Sequence, residues 1–382
     1  RFKCDWSSDV CSSDLKAAGL LYPCYESEDE LERRRKRQMA RGAPPIYDRA
    51  SLRMSAEERA RLEGEGRSPY WRFRLPNTEG SDGIVPLPTL VSWNDAIRGD
   101  QTVDLGSLSD PVLIRADGSY LYTFTSVVDD IELGITHVIR GGDHLTNTGV
   151  QIALFEALGA VPPVFAHHSL LVDAQGQALS KRLGALSIEG LRETGLEPMA
   201  VLSHAALVGT SDAIEAHSDL ASLAAQFSFD KISLAPGRFD VAELNQLNAR
   251  LLHRTGYAPI AQRLAALGVG GGEAFWDAVR GNVETLADAR AWWDIATGTI
   301  SPVIEDAGLV ATAATLLPAE PWDETTWGAW TNAVKQATGA KGRALFHPLR
   351  LALTGREAGP ELKHLLPFIG RERALARLKS SV

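Results

Sequence analysis

Hydrophobic positions along the chain follow two different periods, and the change between them divides it. Between Val112 and Val172 short apolar runs surround one helical stretch: VLIR, YLYTF after the Asp117-Gly118 turn, THVIRG, a helix over about Asn147 to Leu158, and HSLLV. Strands alternating with helical segments predict a parallel α/β unit. It amounts to half of a doubly wound nucleotide fold, which is built from two βαβαβ halves, and no first half is found upstream. After Ser187 the period becomes 3.6: EGLRETG, EPMAVLSHAALVG and VAELNQLNARLLH open a series of Ala-, Leu- and Trp-rich amphipathic helices that continues to the end. Trp322, Trp327 and Trp330 recur at spacings that fit a packed helix face. Upstream, Ser27 with Glu30 forms a capping box opening a charged helix that stops at Gly42 before Pro44-Pro45, and a second short helix is expected from Ser55 to Glu63. The first fifteen residues, RFKCDWSSDVCSSDL, show no amphipathic period and read as foreign to the fold.

A length of 382 residues suits two or three domains, and 45% hydrophobic with 23% charged residues is the balance of a folded chain in water. No run approaches the roughly eighteen uncharged apolar residues of a membrane span, and the first residues lack a signal-peptide layout, so a cytoplasmic protein is expected. Cys4, Cys11 and Cys24 are too few and too clustered to form a disulfide framework, and they lack the paired spacing of a zinc site. Free thiols and no structural metal are expected. The formal net charge of −9 argues against a polyanionic partner until its distribution is examined. From Lys335 to Val382 ten Lys or Arg stand against three Glu, and Arg33 to Arg37 form a second basic run. An acidic protein with such local tracks can still bind RNA.

Three segments carry candidate chemistry. Gly176 to Gly184 contains Leu179, Ser180, Lys181 and Arg182, a hydroxyl and two cations on a glycine-bounded loop, which is what closing on a nucleotide phosphate requires. THVIRGGDH places Arg140 at the carboxyl end of an apolar strand, where open α/β sheets bind ligands; a guanidinium there suits a small carboxylate, with the Tyr122 hydroxyl as a further donor. Asp129-Asp130 fits a turn or helix cap better than an acid/base pair, and His144 suits either stacking on a base or the first turn of a helix. In the third segment Lys341 and Arg343, flanked by glycines and followed by Phe346 and an exposed Arg350, suit single-stranded RNA.

Together these segments resemble the bacterial glutamyl-tRNA synthetases, class I aminoacyl-tRNA synthetases, over nearly everything from Lys16 to Lys379. The similarity is carried by KAAGLLYPCYES, APPIYDRA, VVDDIELGITHVIRGGDHLTNT, ALSKRLG, APGRFDVAELNQLNARLLH and KGRALFHPLRLALTGRE. The resemblance implies ATP-dependent activation of glutamate to the adenylate and transfer to tRNA. Lys181 would stabilise the transition state with help from Ser180 and Arg182, Tyr122 and Arg140 would bind glutamate in the same cleft, and Asp143, His144 and Leu179 would border the ATP pocket. Lys341, Arg343 and Arg350 would meet tRNA, and Mg2+ would accompany ATP. Two departures stand out: Ala178 replaces the first Lys of the usual Lys-Leu-Ser-Lys-Arg, and Gly142 replaces an acidic residue common there. The His-Ile-Gly-His signature is also absent, which implies an N-terminally truncated form, inactive or nearly so alone.

The implied fold is α/β plus all-α: a partial Rossmann-type catalytic domain with helical domains behind it. Its segments are a foreign leader (1–15), a connective insertion for the acceptor end (16–110), the second half of the nucleotide-binding domain (111–189), a stem-contact region (190–256) and a helical anticodon-binding domain (257–382). A monomer is implied. The alternatives are a noncatalytic tRNA-binding fragment and a non-discriminating synthetase that also charges glutamine tRNA.

Overall fold

A computed structural model describes residues 5–78, 85–177, 179 and 187–380. They fall into two compact units, residues 1–171 with 228–237, and residues 172–227 with 238–382. Ser180, Lys181 and Arg182 lie outside the described residues.

The first unit runs α1 (Asp5–Ala17), β1 (Leu21–Cys24), α2 (Glu28–Ala40), α3 (Ala56–Gly64), β2 (Tyr70–Phe73), β3 (Leu90–Asp95), β4 (Gly99–Asp104), β5 (Val112–Ile114), α4 (Tyr122–Glu132), β6 (His137–Gly141), α5 (Leu145–Ala157) and β7 (Val164–His168). Helices α2 and α3 each begin with a reciprocal capping box, Ser27 with Glu30 and Ser55 with Glu58. Strands β6 and β7 pair in parallel, with Arg140 opposite His167, and the crossover is α5. A β–α–β unit was expected from the apolar pattern, but its second strand is Val164–His168 rather than HSLLV, of which Leu171–Val172 forms a separate two-residue strand. Every residue of α5 from Thr148 to Phe155 is buried, as a helix covered on most sides requires. The core gathers Leu15, Phe73, Leu113, Phe124, Val127, Leu154 and Phe165.

Three further expectations change here. YLYTF is not a strand: Tyr120 makes a single bridge to Ile114, Leu121 caps, and α4 starts at Tyr122. Phe124, Val127 and Val128 are the buried positions, so a period of three and four begins inside what reads as an aromatic β run. VLIR does form β5, but antiparallel to β2 in a sheet ordered β1-β2-β5, apart from the parallel pair. Asp129 and Asp130 sit inside α4 rather than in a turn or cap. Within the leader read as foreign, residues from Asp5 on belong to α1, which buries Ser8, Ser12 and Leu15. That stripe has helical spacing but is mostly small and polar, so hydrophobicity does not reveal it. It is fastened by Ser12 Oγ, 3.2 Å from the Tyr120 hydroxyl, which also donates to Asp9.

The second unit is helical: α6 (Ile188–Glu193), α7 (Pro198–Leu207), α8 (Leu220–Ala224), α9 (Val241–Arg254), α10 (Ala261–Ala266), α11 (Gly272–Val279), α12 (Asp288–Thr297), α13 (Ala307–Thr315), α14 (Glu324–Thr338), α15 (Arg343–Thr354), α16 (Leu362–Ile369) and α17 (Arg371–Lys379). Its core contains Phe275, Trp276, Trp330, Leu349 and Leu365. As the spacing predicts, Trp330 is buried, with its indole donating to Ala313 O at 2.9 Å, and Trp322 and Trp327 pack beside it. Arg377 is buried and ties α17 down by donating to Leu353 O at 2.6 Å and Gly298 O at 2.9 Å. Burial, aided by Arg373, pushes its pKa down to about 10.

Candidate active site

Arg140 is the penultimate residue of β6 and is half-buried. Its guanidinium is held from two directions. Nη2 donates to Thr148 Oγ1 and Gln151 Oε1 on α5, each at 2.6 Å, and Nε donates to His167 Nε2 on β7 at 3.2 Å. Gln151 is held in turn, its amide donating to Ser126 Oγ on α4 at 2.8 Å. The Phe165 ring lies under the guanidinium at 5.5 Å. Nη1 has no hydrogen-bond partner among the described residues, which leaves one edge of a fixed cation for a ligand.

Tyr122 starts α4 and is 55% exposed. Its ring meets His144 edge-on at 5.9 Å, and no hydrogen bond joins it to Arg140. His144 is the residue before α5, with Nδ1 accepting from the Asn147 amide at 3.2 Å; of the two roles open to it, the first helical turn is where it lies. Asp143 is exposed beside it. The backbone passes close here, since a Cβ at Gly141 would lie 2.6 Å from Asp143 Oδ1 and 2.9 Å from Leu170 Cδ2. Burial pushes the Asp130 carboxyl above its usual range; Arg140 pulls the other way and Asp129 adds to the rise, so α4 turns an acidic group toward the same field.

The remaining expected residues belong to the second unit. Leu179 is half-buried and described. Just before it, Asp173 Oδ1 accepts from the Gln175 and Gln177 amides at 3.0 and 2.8 Å around Gly176, whose φ of +81° favours glycine. Lys341 and Arg343 are exposed where α15 begins. Arg350, expected to be exposed, is half-buried: Nη2 donates to Pro360 O at 2.9 Å and burial lowers its pKa. Helix α15 turns one side into the core, and Arg350 sits at the edge of that face, where spacing from Arg343 gives no warning of Pro360. Among the described residues no three His, Cys, Asp or Glu side chains converge as metal ligands, and no helix is long and apolar enough to cross a membrane. Cys11 and Cys24 are free thiols.

Sequence reasoning missed Asp95 and His167. Both are buried, and Asp95 Oδ2 lies 2.5 Å from His167 Nδ1. A histidine within the apolar run VFAHHSLLV was the available signal; its carboxylate partner, 72 residues away, left none.

Residues 8–246 match the family of class I tRNA synthetase catalytic domains (E and Q), and residues 305–382 match an anticodon binding domain. A glutamate–tRNA ligase 2 of Methylobacterium sp. (strain 4-46) is 58% identical over 373 residues, covering 97% of this chain and 81% of its own. A glutamate–tRNA ligase 1 of Chelativorans sp. (strain BNC1) is 56% identical over 368 residues, 95% of this chain and 80% of its own. The crystal structure of a glutamate tRNA ligase from Elizabethkingia meningosepticum in complex with its amino acid shares the fold, with a TM-score of 0.80 and 24% identity over 97% of this chain and 81% of that one. A class I catalytic domain is therefore joined to a helical anticodon domain, and the chain belongs to the glutamate–tRNA ligase family of class I tRNA synthetases.

Proposed function

We propose that Arg140 is the anchor of the substrate's side-chain carboxylate in the ATP-dependent activation of L-glutamate and its transfer to tRNA. The observation that carries this reading is the half-buried guanidinium at the end of a parallel strand, committed to protein acceptors through Nε and Nη2 and open at Nη1. Tyr122 and His144 form the neighbouring wall, and Asp143 borders it. Leu179 leads into Ser180, Lys181 and Arg182, whose hydroxyl and cations are chemically suited to the nucleotide phosphates. ATP, when bound, supplies the phosphoanhydride that activates the amino acid. Mg2+ would arrive with it, held mainly by phosphate and water oxygens.

Transfer RNA is the macromolecular substrate. Its acceptor end is assigned to residues 16–110, its stem to 190–256 and its anticodon to 257–382, where Lys341, Arg343 and Arg350 contribute positive charge. The chain acts as a monomer in the cytoplasm. The test is calorimetric titration of the chain with L-glutamate. Arg140→Ala is expected to weaken binding by about 10- to 100-fold, the worth of one charge-assisted pair. Unchanged affinity would leave only a noncatalytic tRNA binder.

A further inference from the structure

Arg140 depends on an acceptor, His167 Nε2, that is itself conditional. A neutral imidazole carries one proton, and Nε2 accepts only when that proton sits on Nδ1. Asp95 decides where it sits. The two carboxylate oxygens have separate tasks: Oδ1 accepts three backbone amides, Ile97 at 3.1 Å, Arg98 at 3.0 Å and His167 at 3.1 Å, whereas Oδ2 meets the His167 ring at Nδ1, 2.5 Å away. An ionised carboxylate only accepts, so the ring proton is on Nδ1. Nε2 then presents its lone pair to Arg140 Nε at 3.2 Å, with Thr148 Oγ1 at 3.0 Å. Arg98 completes the frame by donating from Nε to His167 O at 2.9 Å.

The charges around the ring agree. Burial opposes ionisation of Asp95, but the His167 ring and the amides of His167, Arg98 and Ile97 together hold its carboxyl below the usual range. Burial lowers the His167 pKa, Asp95 raises it, and Arg140 and Arg98 lower it further. The net direction is a neutral ring beside an ionised carboxylate. A protonated His167 would aim an N–H at the N–H of Arg140 and set two cations about 3 Å apart, which costs both the hydrogen bond and Coulomb repulsion.

We propose that Asp95 and His167 are positioning residues for Arg140, the carboxylate fixing the imidazole tautomer that holds the guanidinium, and that this pair thereby sets the preference for glutamate over glutamine. The inference rests on the reading of Arg140 as the carboxylate anchor. A cation held in one orientation rewards an ionised carboxylate far more than a neutral amide, whereas a cation free to turn loses that advantage.

Asp95→Asn isolates the effect. Its side-chain oxygen can keep all three backbone amides, while its amide nitrogen donates to Nδ1 and drives the ring proton to Nε2, as a carboxylate-to-amide exchange does in a catalytic triad. With chain labelled with 15N at histidine, His167 is expected as the neutral Nδ1–H tautomer in the wild type and as Nε2–H in Asp95→Asn. An Nε2–H or doubly protonated ring in the wild type near neutral pH would overturn the inference whatever glutamate does.

Calorimetry with L-glutamate and L-glutamine is the second readout. Asp95→Asn and His167→Leu are expected to weaken glutamate binding by about tenfold or more and to narrow the ratio of the two affinities, whereas His167→Gln, which restores an acceptor near Nε2, should stay within about threefold of wild type. If Arg140→Ala abolishes binding while Asp95→Asn and His167→Leu stay within about twofold, the positioning role is wrong and the anchor stands. If Arg140→Ala is also without effect, the anchor itself is wrong. Equal losses in His167→Gln and His167→Leu, with melting temperatures kept, would likewise refute the acceptor role.

Discussion

Replacement of Arg49 by methionine is expected to destabilise the first unit by about 3–5 kcal/mol, because it strands a buried carboxylate. Arg49 and Asp110 are each 1% exposed at the side chain. Arg49 Nε and Nη2 donate to the two Asp110 oxygens at 2.7 Å, and Nη2 also reaches Asn77 Oδ1 at 2.6 Å and Leu75 O at 3.2 Å. Methionine fills much of the volume but removes both charge-assisted bonds, each worth about 1.5–3 kcal/mol. Asp110 keeps two neutral donors, the Tyr22 hydroxyl at 2.6 Å and the Leu75 amide at 3.0 Å, which limits the loss. Burial, reinforced by Asp110, drives the Tyr22 pKa far up, so that hydroxyl remains a donor at any accessible pH. Arg49 also sits at φ +54°, and the left-handed cost of about 1 kcal/mol is common to arginine and methionine, so it cancels in the comparison. For a body of this size the loss converts to a melting-point drop of about 6–20 °C. Differential scanning calorimetry of wild type, Arg49→Met, Asp110→Leu and the double variant measures it. The double variant should recover a large part of the loss, since no charge is left unpaired. A shift below about 2 °C for Arg49→Met, or strictly additive single losses, would refute the reasoning.

Gly149→Ala should destabilise the same unit by about 1–3 kcal/mol despite the better helix propensity of alanine, because the new Cβ would lie 2.8 Å from Val103 Cβ and force α5 off the β3–β4 hairpin; a melting point at or above wild type would contradict that packing. The lowered His167 pKa makes stability depend on pH with a definite sign. Above the unfolded value of about 6.5 the ring is neutral in both states and contributes nothing. Between that value and the depressed folded one only the unfolded chain takes up the proton, so stability falls as pH falls, then levels off. Denaturant titrations of wild type and His167→Gln between pH 7.5 and pH 5 should show a steeper acid loss in the wild type, and parallel curves would count against a neutral buried ring.

The legible parts of this chain were those in which one residue's neighbours in sequence are also its partners in space. The capping boxes of α2 and α3 close within three residues, and α5 follows a strand and precedes another, so both could be read directly. The YLYTF segment fails for a physical reason: aromatic and β-branched residues favour strands as a type, but the burial of Phe124, Val127 and Val128 against a shared core selects a helix. The packing of α1 was hidden for another reason, since it rests in part on the Ser12 hydroxyl, which bonds within the helix to Asp9 O and meets the Tyr120 hydroxyl, 108 residues distant.

The proposed anchor shows the same division inside a single site. Arg140 was visible because a cation ending an apolar strand and followed by two glycines is anomalous locally. What holds it in place was not visible. The acceptors that hold the guanidinium are all neutral, Thr148, Gln151 and the imidazole of His167, as the proposed role of binding a carboxylate requires. Neutral acceptors are unremarkable in a sequence, and the one charged member, Asp95, acts a step removed, on the far nitrogen of the ring. Direct contact between Asp95 and Arg140 would have satisfied the cation and spent its affinity for substrate; interposing a histidine keeps the fixed geometry while leaving the charge available. Moving the negative charge one ring closer should therefore disable the site as surely as removing it: His167→Asp is expected to retain Arg140 in place yet bind glutamate more weakly than His167→Gln, and a tighter complex would refute the argument.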